Sequence, residues 1–441
     1  MQAVFDFIIN DVLKQTPIFM GLIACVGLLV QRKAAKDVIE GTLKTIVGMA
    51  AFNLGVNLLC TAILAINDIL KPTLSTSGVY PFPDIATGVA YTFDIVAQNV
   101  IQIMIIAWFI HILLVRIFHK WFKCVYLTVH MMINQSAINI LFWHFAMGLE
   151  GIPMYVACIT VDVIYFTVSP MLTYKEATEM SNGAFALGHL NQFGAWAGAK
   201  LGRLVGDPVK DNADRLKLPG WLSMFGDMTL NLAITMPISF LIIGIIAIVV
   251  GNPEAMAVLD TNRAGQNAYL WLIMQGINFA AGVVVLIYGL RMFIASLIPA
   301  FRGFTEKLLP GCVPALDCMV FCPYSQMGAT LGFLGNAAAA IICCVCLAAF
   351  GCPVFVYPSL AICFFDGATE GVFGNHTGGW KGALLAGFVG GLVLHLGVLL
   401  LNPLTGPLAE QGVQYGNFDT SSFNAILFFL IHKVGGLFGL G

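Results

Sequence analysis

The 441 residues are 59% hydrophobic and 10% charged, with 21 Lys and Arg against 23 Asp and Glu and a formal net charge of -2. An average soluble domain is roughly 25% charged, so this composition excludes an ordinary soluble protein and points to a polytopic membrane protein. The near-balanced charge carries no signature of a nucleic-acid partner, and the sequence holds neither a GxxxxGK[ST] phosphate loop nor an HExxH zinc helix.

Apolar runs near the ~20 residues that cross a bilayer fall at about 16–31, 45–66, 95–118, 123–147, 152–172, 229–251, 268–298, 327–350, 354–365, 380–402 and 423–440. They predict an all-α fold of about eleven transmembrane helices, in which the short 354–365 run is the one able to form a re-entrant segment instead. Asp6 and Asp11 precede the first run and no small-residue cleavage site follows it, so the first helix is expected to be retained. With the N-terminus extracytoplasmic, only Lys14, Lys71 and Arg263 of the 21 basic residues fall outside. That asymmetry favours a cytoplasmic C-terminus. The twelve cysteines lie mostly in apolar runs, and Cys343 and Cys346 lack His or charged neighbours, so packing explains them better than a metal.

The connections differ in kind. VYPFPDIATG (79–88) and PGCVPALDCMVFCPY (310–324) each place Pro and Asp beside an apolar run, and such irregular backbone survives in hydrocarbon only when it is buried in protein or lines a wet cavity. The 173–228 segment carries the charge runs KEATE and GDPVKDNADRLK and reads as a cytoplasmic or interfacial connection, with LPGWLSMF (218–225) at the interface and Trp221 as its anchor. Five spans on either side give the halves opposite orientation and match an inverted-repeat transporter plan. The expected layout is a first repeat over 1–172 with a broken segment near 79–94, the 173–228 connection, and a second repeat over 229–402 with broken segments near 310–324 and 364–370. A C-terminal loop and helix over 403–441 complete it.

Ionisable side chains within a membrane cost about 2.5–3.5 kcal/mol each on insertion scales, so each needs a partner or water. On that ground the residues that need explaining are Asp84 with Thr87; Gln98, Asn99 and Gln102; His130, Asn134 and Gln135; His189, Asn191 and Gln192; Asp317; and Asp366, Glu370, Asn375 and His376. His130 and Asn134 share a helix face, as packing glue or as a site. GHLNQF (188–193) fits either a solvated turn or a site. Asp317 is either a ligand or proton group, or the cap of a half-helix. Asp94, Asp162 and Asp227 sit near predicted span ends and are read as interfacial. The Gly387/Gly391 and Gly435/Gly439 pairs signal close helix packing.

Six blocks, EGTLKTIVG (40–48), GHLNQF (188–193), KLPGWLSMFGD (217–227), RMFIASLIPAFRGFTEKLLPG (291–311), ALDC (315–318) and GVFGNHTGGW (371–380), make the chain from about 16 to 402 resemble the membrane IIC component of the bacterial L-ascorbate phosphotransferase system. The resemblance implies a homodimeric elevator-type permease of the bacterial inner membrane, built from inverted five-helix repeats with re-entrant hairpins. It implies a sugar substrate, no cofactor, and separate IIA and IIB proteins, with the IIB phosphocysteine phosphorylating the sugar; this chain would be the translocation subunit. The residues it implies for the sugar are Asp84, Ile85, Ala86, Thr87 and Gly88, then His130, Asn134, Gln135, His189, Leu190 and Asp317, and finally Phe365, Asp366, Gly367, Ala368 and Thr369. Asp317 could also serve as general base. The chain departs from the ascorbate pattern at Asn134, Leu190, Asn191, Asp366 and Glu370. Ascorbate is an anion at neutral pH, and at an effective dielectric of 20 two like charges 4 Å apart cost about 4 kcal/mol. The alternatives are therefore a neutral pentose, pentitol or hexitol in the same system, or a proton- or sodium-coupled secondary transporter. A membrane-embedded enzyme acting on a lipid is a third class.

Overall fold

A computed structural model describes residues 15–74, 78–216, 228–309, 311–352 and 354–437. LPGWLSMF with Trp221, Asp227 and Gly439 lie outside the described residues. The chain opens with helices α1 (Thr16–Val30) and α2 (Ala35–Leu74), strand β1 (Gly78–Pro81), the short helix α3 (Pro83–Ala90) and α4 (Asp94–Ile117). Strand β2 (Cys124–Tyr126), α5 (Val129–Leu141), α6 (Gly151–Leu172), α7 (Tyr174–Met180), β3 (Ala186–Leu187) and α8 (Gln192–Val205) follow. The C-terminal part repeats the rhythm: α9 (Met228–Val250), α10 (Pro253–Arg263), α11 (Ala268–Leu308), β4 (Val313–Leu316), a 3-10 turn (Cys318–Tyr324) and α12 (Gln326–Ala349). It ends with β5 (Phe355–Val356), α13 (Leu360–Leu401), β6 (Val413–Gln414) and α14 (Ala425–Leu437).

Among the described residues six helices are long and apolar enough to cross a bilayer: Asp94–Ile117, Gly151–Leu172, Leu232–Val250, Ala268–Phe293, Gln326–Leu347 and Leu360–Leu404. Their exposed large side chains, such as Phe109, Val249, Ile341 and Leu396, suit a lipid surround.

The strands solve a backbone problem. Both interrupted segments carry main-chain groups that a neighbouring helix cannot satisfy. Strand β1 lies between β5 and β6, all parallel, with Gly78 opposite Phe355 and Tyr80 opposite Val413. Strand β4 lies in the same way between β2 and β3, with Tyr126 and Ala186 both opposite Ala315. Each central strand therefore belongs to one part of the chain and both flanking strands to the other.

Three expectations need correction. First, FFDGATE (364–370) is not a broken segment: it lies inside α13, which stays helical until Gly379 (φ 66). Its one glycine and those that follow in α13 serve packing on α12, since a Cβ on Gly367 would sit 2.8 Å from the carbonyl oxygen of Gly332, one on Gly371 2.2 Å from that of Gly328, and one on Gly387 2.0 Å from that of Gly332. At the real interruption, Trp380 N donates to the main-chain oxygen of Asp211 at 2.7 Å and Lys381 Nζ lies 3.0 Å from Asp211 Oδ2. That lysine hydrogen bond holds the Asp211 carboxyl below the usual carboxylate range. Second, 173–228 is not only a connection. Residues 185–192 are buried, and α8 lies on α13 through Gly194, Gly198 and Gly202, where a Cβ would collide with Glu370, Glu370 again and Thr377. The charges flanking this stretch hid its small-residue stripe. Third, Asp162 is not interfacial: it is fully buried in α6 and accepts hydrogen bonds from Ser136 Oγ and Asn139 Nδ2, both at 2.6 Å.

Candidate functional site

A cavity of about 260 Å³ lies where the interrupted segments meet. Helix α2 contributes Phe52, Asn53, Val56 and Asn57; the entry to α3 contributes Phe82, Pro83 and Asp84. His130 and Met131 come from the first turn of α5, His189 from the turn before α8, and Asp317 from the turn after β4. Ile362 and Phe365 of α13, with Asn417 beyond β6, close the wall.

Local sequence explains each placement. Pro83 opens α3 at a position where its missing N–H costs nothing, so Asp84 falls in the first turn. Asp317 caps the 3-10 turn, its Oδ1 accepting from Met319 N at 3.3 Å. Its other oxygen, Oδ2, lies 3.2 Å from His130 Nε2. His189 is 2% exposed, its main-chain oxygen accepts from the Tyr165 hydroxyl at 3.1 Å, and its Nδ1 has no partner among the described residues. A second network holds the other carboxylate: Asn134 Nδ2 donates to Asp84 Oδ1 at 3.1 Å, and Asn134 Oδ1 accepts from Thr87 Oγ1 at 2.7 Å. The Thr87 hydroxyl also meets the Tyr415 hydroxyl at 2.9 Å.

Of the residues singled out from sequence, the cavity gathers Asp84, His130, His189, Asp317 and Phe365. Asn134 stands one bond behind it, holding Asp84, and Thr87 one bond further, holding Asn134. Ile85, Ala86 and Gly88 belong to α3 beyond the lining, and Leu190 and Gln135 are fully buried away from it. Asp366 and Thr369 are also fully buried behind the wall: Asp366 accepts from Asn417 Nδ2 at 2.9 Å and Phe418 N at 2.6 Å, and Thr369 Oγ1 donates to its own helix at the Phe365 oxygen. Gly367 sits in the contact with α12, and Ala368 is fully buried in α13. Asn375 binds Asp214 and Ser325, and His376 faces Glu179, both away from the cavity. Asn53, Asn57 and Asn417 were not singled out. The first two carried a signal, two amides four apart in an apolar run and so on one helix face; Asn417 reaches the wall only through tertiary return of the chain.

The cavity is small and partly open, and its apolar walls carry carboxylates, imidazoles and amides that converge from separate elements; such a site suits a small polyhydroxylated molecule. The family model for the PTS system sugar-specific permease component, EIIC-GAT, matches residues 11–419. The chain belongs to that family. The ascorbate-specific PTS system EIIC component of Mycoplasma pneumoniae is 24% identical over 420 residues, covering 86% of this chain. The chain spans about 63% of the length of that curated relative. Family membership and six apolar helices together describe a multi-pass inner-membrane protein of the sugar phosphotransferase permeases. Within this EIIC-GAT permease the polar wall is the part with the chemistry a sugar requires.

Proposed function

We propose that this permease binds L-ascorbate, or a related sugar, in the cavity between Asp84, His130, His189 and Asp317. It carries the sugar to a cytoplasmic IIB protein, itself charged by IIA, for phosphorylation. The observation that carries the reading is the convergence of those four side chains, from four separate segments, on one cavity of about 260 Å³. Each neutral hydrogen bond nets about 0.5–1.5 kcal/mol, so micromolar affinity, about -8 kcal/mol, needs several at once. Asn53, Asn57 and Asn417 extend the set of groups able to meet hydroxyls. In the transfer step a sugar hydroxyl oxygen attacks phosphorus, the P–S bond breaks and the IIB thiolate leaves. Asp317 Oδ2, beside His130, is the group positioned to take the hydroxyl proton.

The reading includes inverted repeats, a homodimer and elevator movement of the core, with the N-terminus extracytoplasmic. The reciprocal sheets support the repeats: β1 and β4 each precede a short helical element bearing a cavity carboxylate, and each pairs with two strands of the opposite part. They also favour ending the first repeat beyond α8 and the second at α14.

A neutral pentose, pentitol or hexitol is the second reading. Asp366 and Glu370 stand behind the wall and do not bear on ligand charge by contact. Asp84 and Asp317 do line it, and two carboxylates welcome hydroxyls more readily than an anion. Vesicle uptake tests the class: accumulation as the sugar phosphate should require phosphoenolpyruvate with IIA and IIB and resist an uncoupler. Uncoupler-sensitive accumulation of unmodified substrate would instead establish the proton-coupled alternative. A binding panel of ascorbate against neutral polyols decides the substrate.

A further inference from the structure

Behind the cavity wall three carboxylates, Asp366, Glu370 and Asp419, are fully buried. Asp366 and Asp419 are well supplied with donors: Asn417 Nδ2 and Phe418 N for the first; the Tyr165 hydroxyl, Gln192 N and Phe193 N for the second. Glu370 is not. Its Oε2 receives one long bond, from Asn336 Nδ2 at 3.3 Å, and its Oε1 has no partner among the described residues. None of the ion pairs among the described residues involves any of the three.

An acceptor lies in the same small space as Oε1. Asn191 is fully buried, and its Nδ2 donates to the main-chain oxygen of Asp366 at 3.0 Å, which fixes the orientation of the amide. Its Oδ1 also has no partner among the described residues, and it shares one small space with Glu370: a Cβ on Gly194 would lie 1.9 Å from Asn191 Oδ1 and 2.8 Å from Glu370 Oε1. On the other side Glu370 Oε2 is packed against Gly390, 1.8 Å from where a Cβ would sit. An ionised Glu370 would be an unpaired buried charge with an unpartnered amide oxygen in the same closed space. A single hydrogen satisfies both orphaned oxygens, because a protonated carboxyl is a donor.

We propose that Glu370 is a proton-binding site, its Oε1–H donating to Asn191 Oδ1 while Oε2 accepts from Asn336 Nδ2. The ionisable groups facing it are Asp366 and Cys363 on its own helix, Asp419 on the segment entering α14, and Tyr165 of α6 and Cys318 one shell further. Helix α8 meets it with Gly194 and Gly198, and α12 with the neutral Asn336. Intramembrane acids so placed serve as proton stations. This one touches the cavity wall by two short routes: Asn191 follows His189 by two residues, and Asp366, bonded to Asn191, holds Asn417.

The test is infrared spectroscopy of the purified full chain in lipid at neutral pH, without sugar, so its outcome is independent of the transport reading. A protonated carboxylic acid gives a carbonyl-stretch band that shifts in D2O. The band is expected in the wild type and in Asp366→Asn and Asp419→Asn, and is lost in Glu370→Gln, whose amide donates to Asn191 in place of the hydroxyl. Asn191→Leu, which removes the acceptor, should move the band; this variant decides the matter if Glu370→Gln does not fold. No band in the wild type, a band kept in Glu370→Gln, or one unmoved in Asn191→Leu overturns the proposal.

Discussion

Asp84 and Asp317 occupy matching places in the chain and are held differently. Each follows the central strand of a three-stranded parallel sheet and begins a short helical element beside the cavity. Asp317 caps its own turn and pairs with an imidazole at 3.2 Å, so a potential cation lies against it. Asp84 makes no cap and is held by the neutral amide of Asn134, itself tied to Thr87. The backbone device is the same; the side chains around it set whether the carboxylate is charge-paired or merely oriented. On the proposed reading, that difference favours the Asp317 side for proton transfer and the Asp84 side as the gauge of ligand charge.

The sharpest way to break the comparison is Asp317→Ala. It removes a charged group from the cavity lining and leaves the half-buried His130 without its partner; a hydrogen bond to a charged group is worth about 1.5–3 kcal/mol, so ligand binding by isothermal calorimetry should weaken roughly tenfold or more. Equal losses from Asp84→Ala and Asp317→Ala would mean that the imidazole pairing adds nothing. Next come the sheets themselves. A Cβ on Gly78 would lie 2.3 Å from the carbonyl oxygen of Phe355, and one on Gly188 2.6 Å from that of Ala315. Gly78→Ala and Gly188→Ala should each destabilise the protein by about 1–3 kcal/mol, read as a lowered melting temperature in detergent. If only one does, the two sheets are not equivalent supports. Asp84→Asn should change affinity by about tenfold or less with a sign set by the ligand, a gain for an anion and a loss for a neutral polyol. The smallest effect is expected of Thr87→Val, which frees Asn134 without touching the cavity. Loss of its buried bonds to Asn134 and Tyr415 is worth about 1 kcal/mol each, read as a lowered melting temperature, with affinity reduced by about fivefold or less.

Much of the wall could be read from sequence because a polar side chain in an apolar run has few cheap explanations. That logic found His130, Asp317 and Asp84, and it put His189 under suspicion. It failed where polarity was cheap to hide. Asp366 reads as a ligand and Glu370 as a residue in need of explanation, but the first is held by Asn417 and Phe418 and the second lies in a helix contact that glycines make possible. GHLNQF sat among charges that belong to the chain around it, so the stripe Gly194, Gly198, Gly202 was overlooked although its four-residue spacing is plain. Asn417 and Asp419 follow a loop whose local sequence says nothing of the interior; only the return of β6 to β1 brings them in. Close packing and chain reversal call for the same residue, and within α13 only Gly379 has the positive φ that a break requires.

The interleaving of the sheets also governs how the protein is made. Gly78 pairs with Phe355 and Tyr80 with Val413, so β1 enters the membrane long before either neighbour has left the ribosome. At about 5–20 residues per second that interval lasts tens of seconds, during which its main-chain groups need water, lipid headgroups or a chaperone. A chain cut after α8 would retain β2 and β3 with no strand between them and β1 with no strand beside it. Neither part is a free-standing fold: each withholds the strand that completes the other.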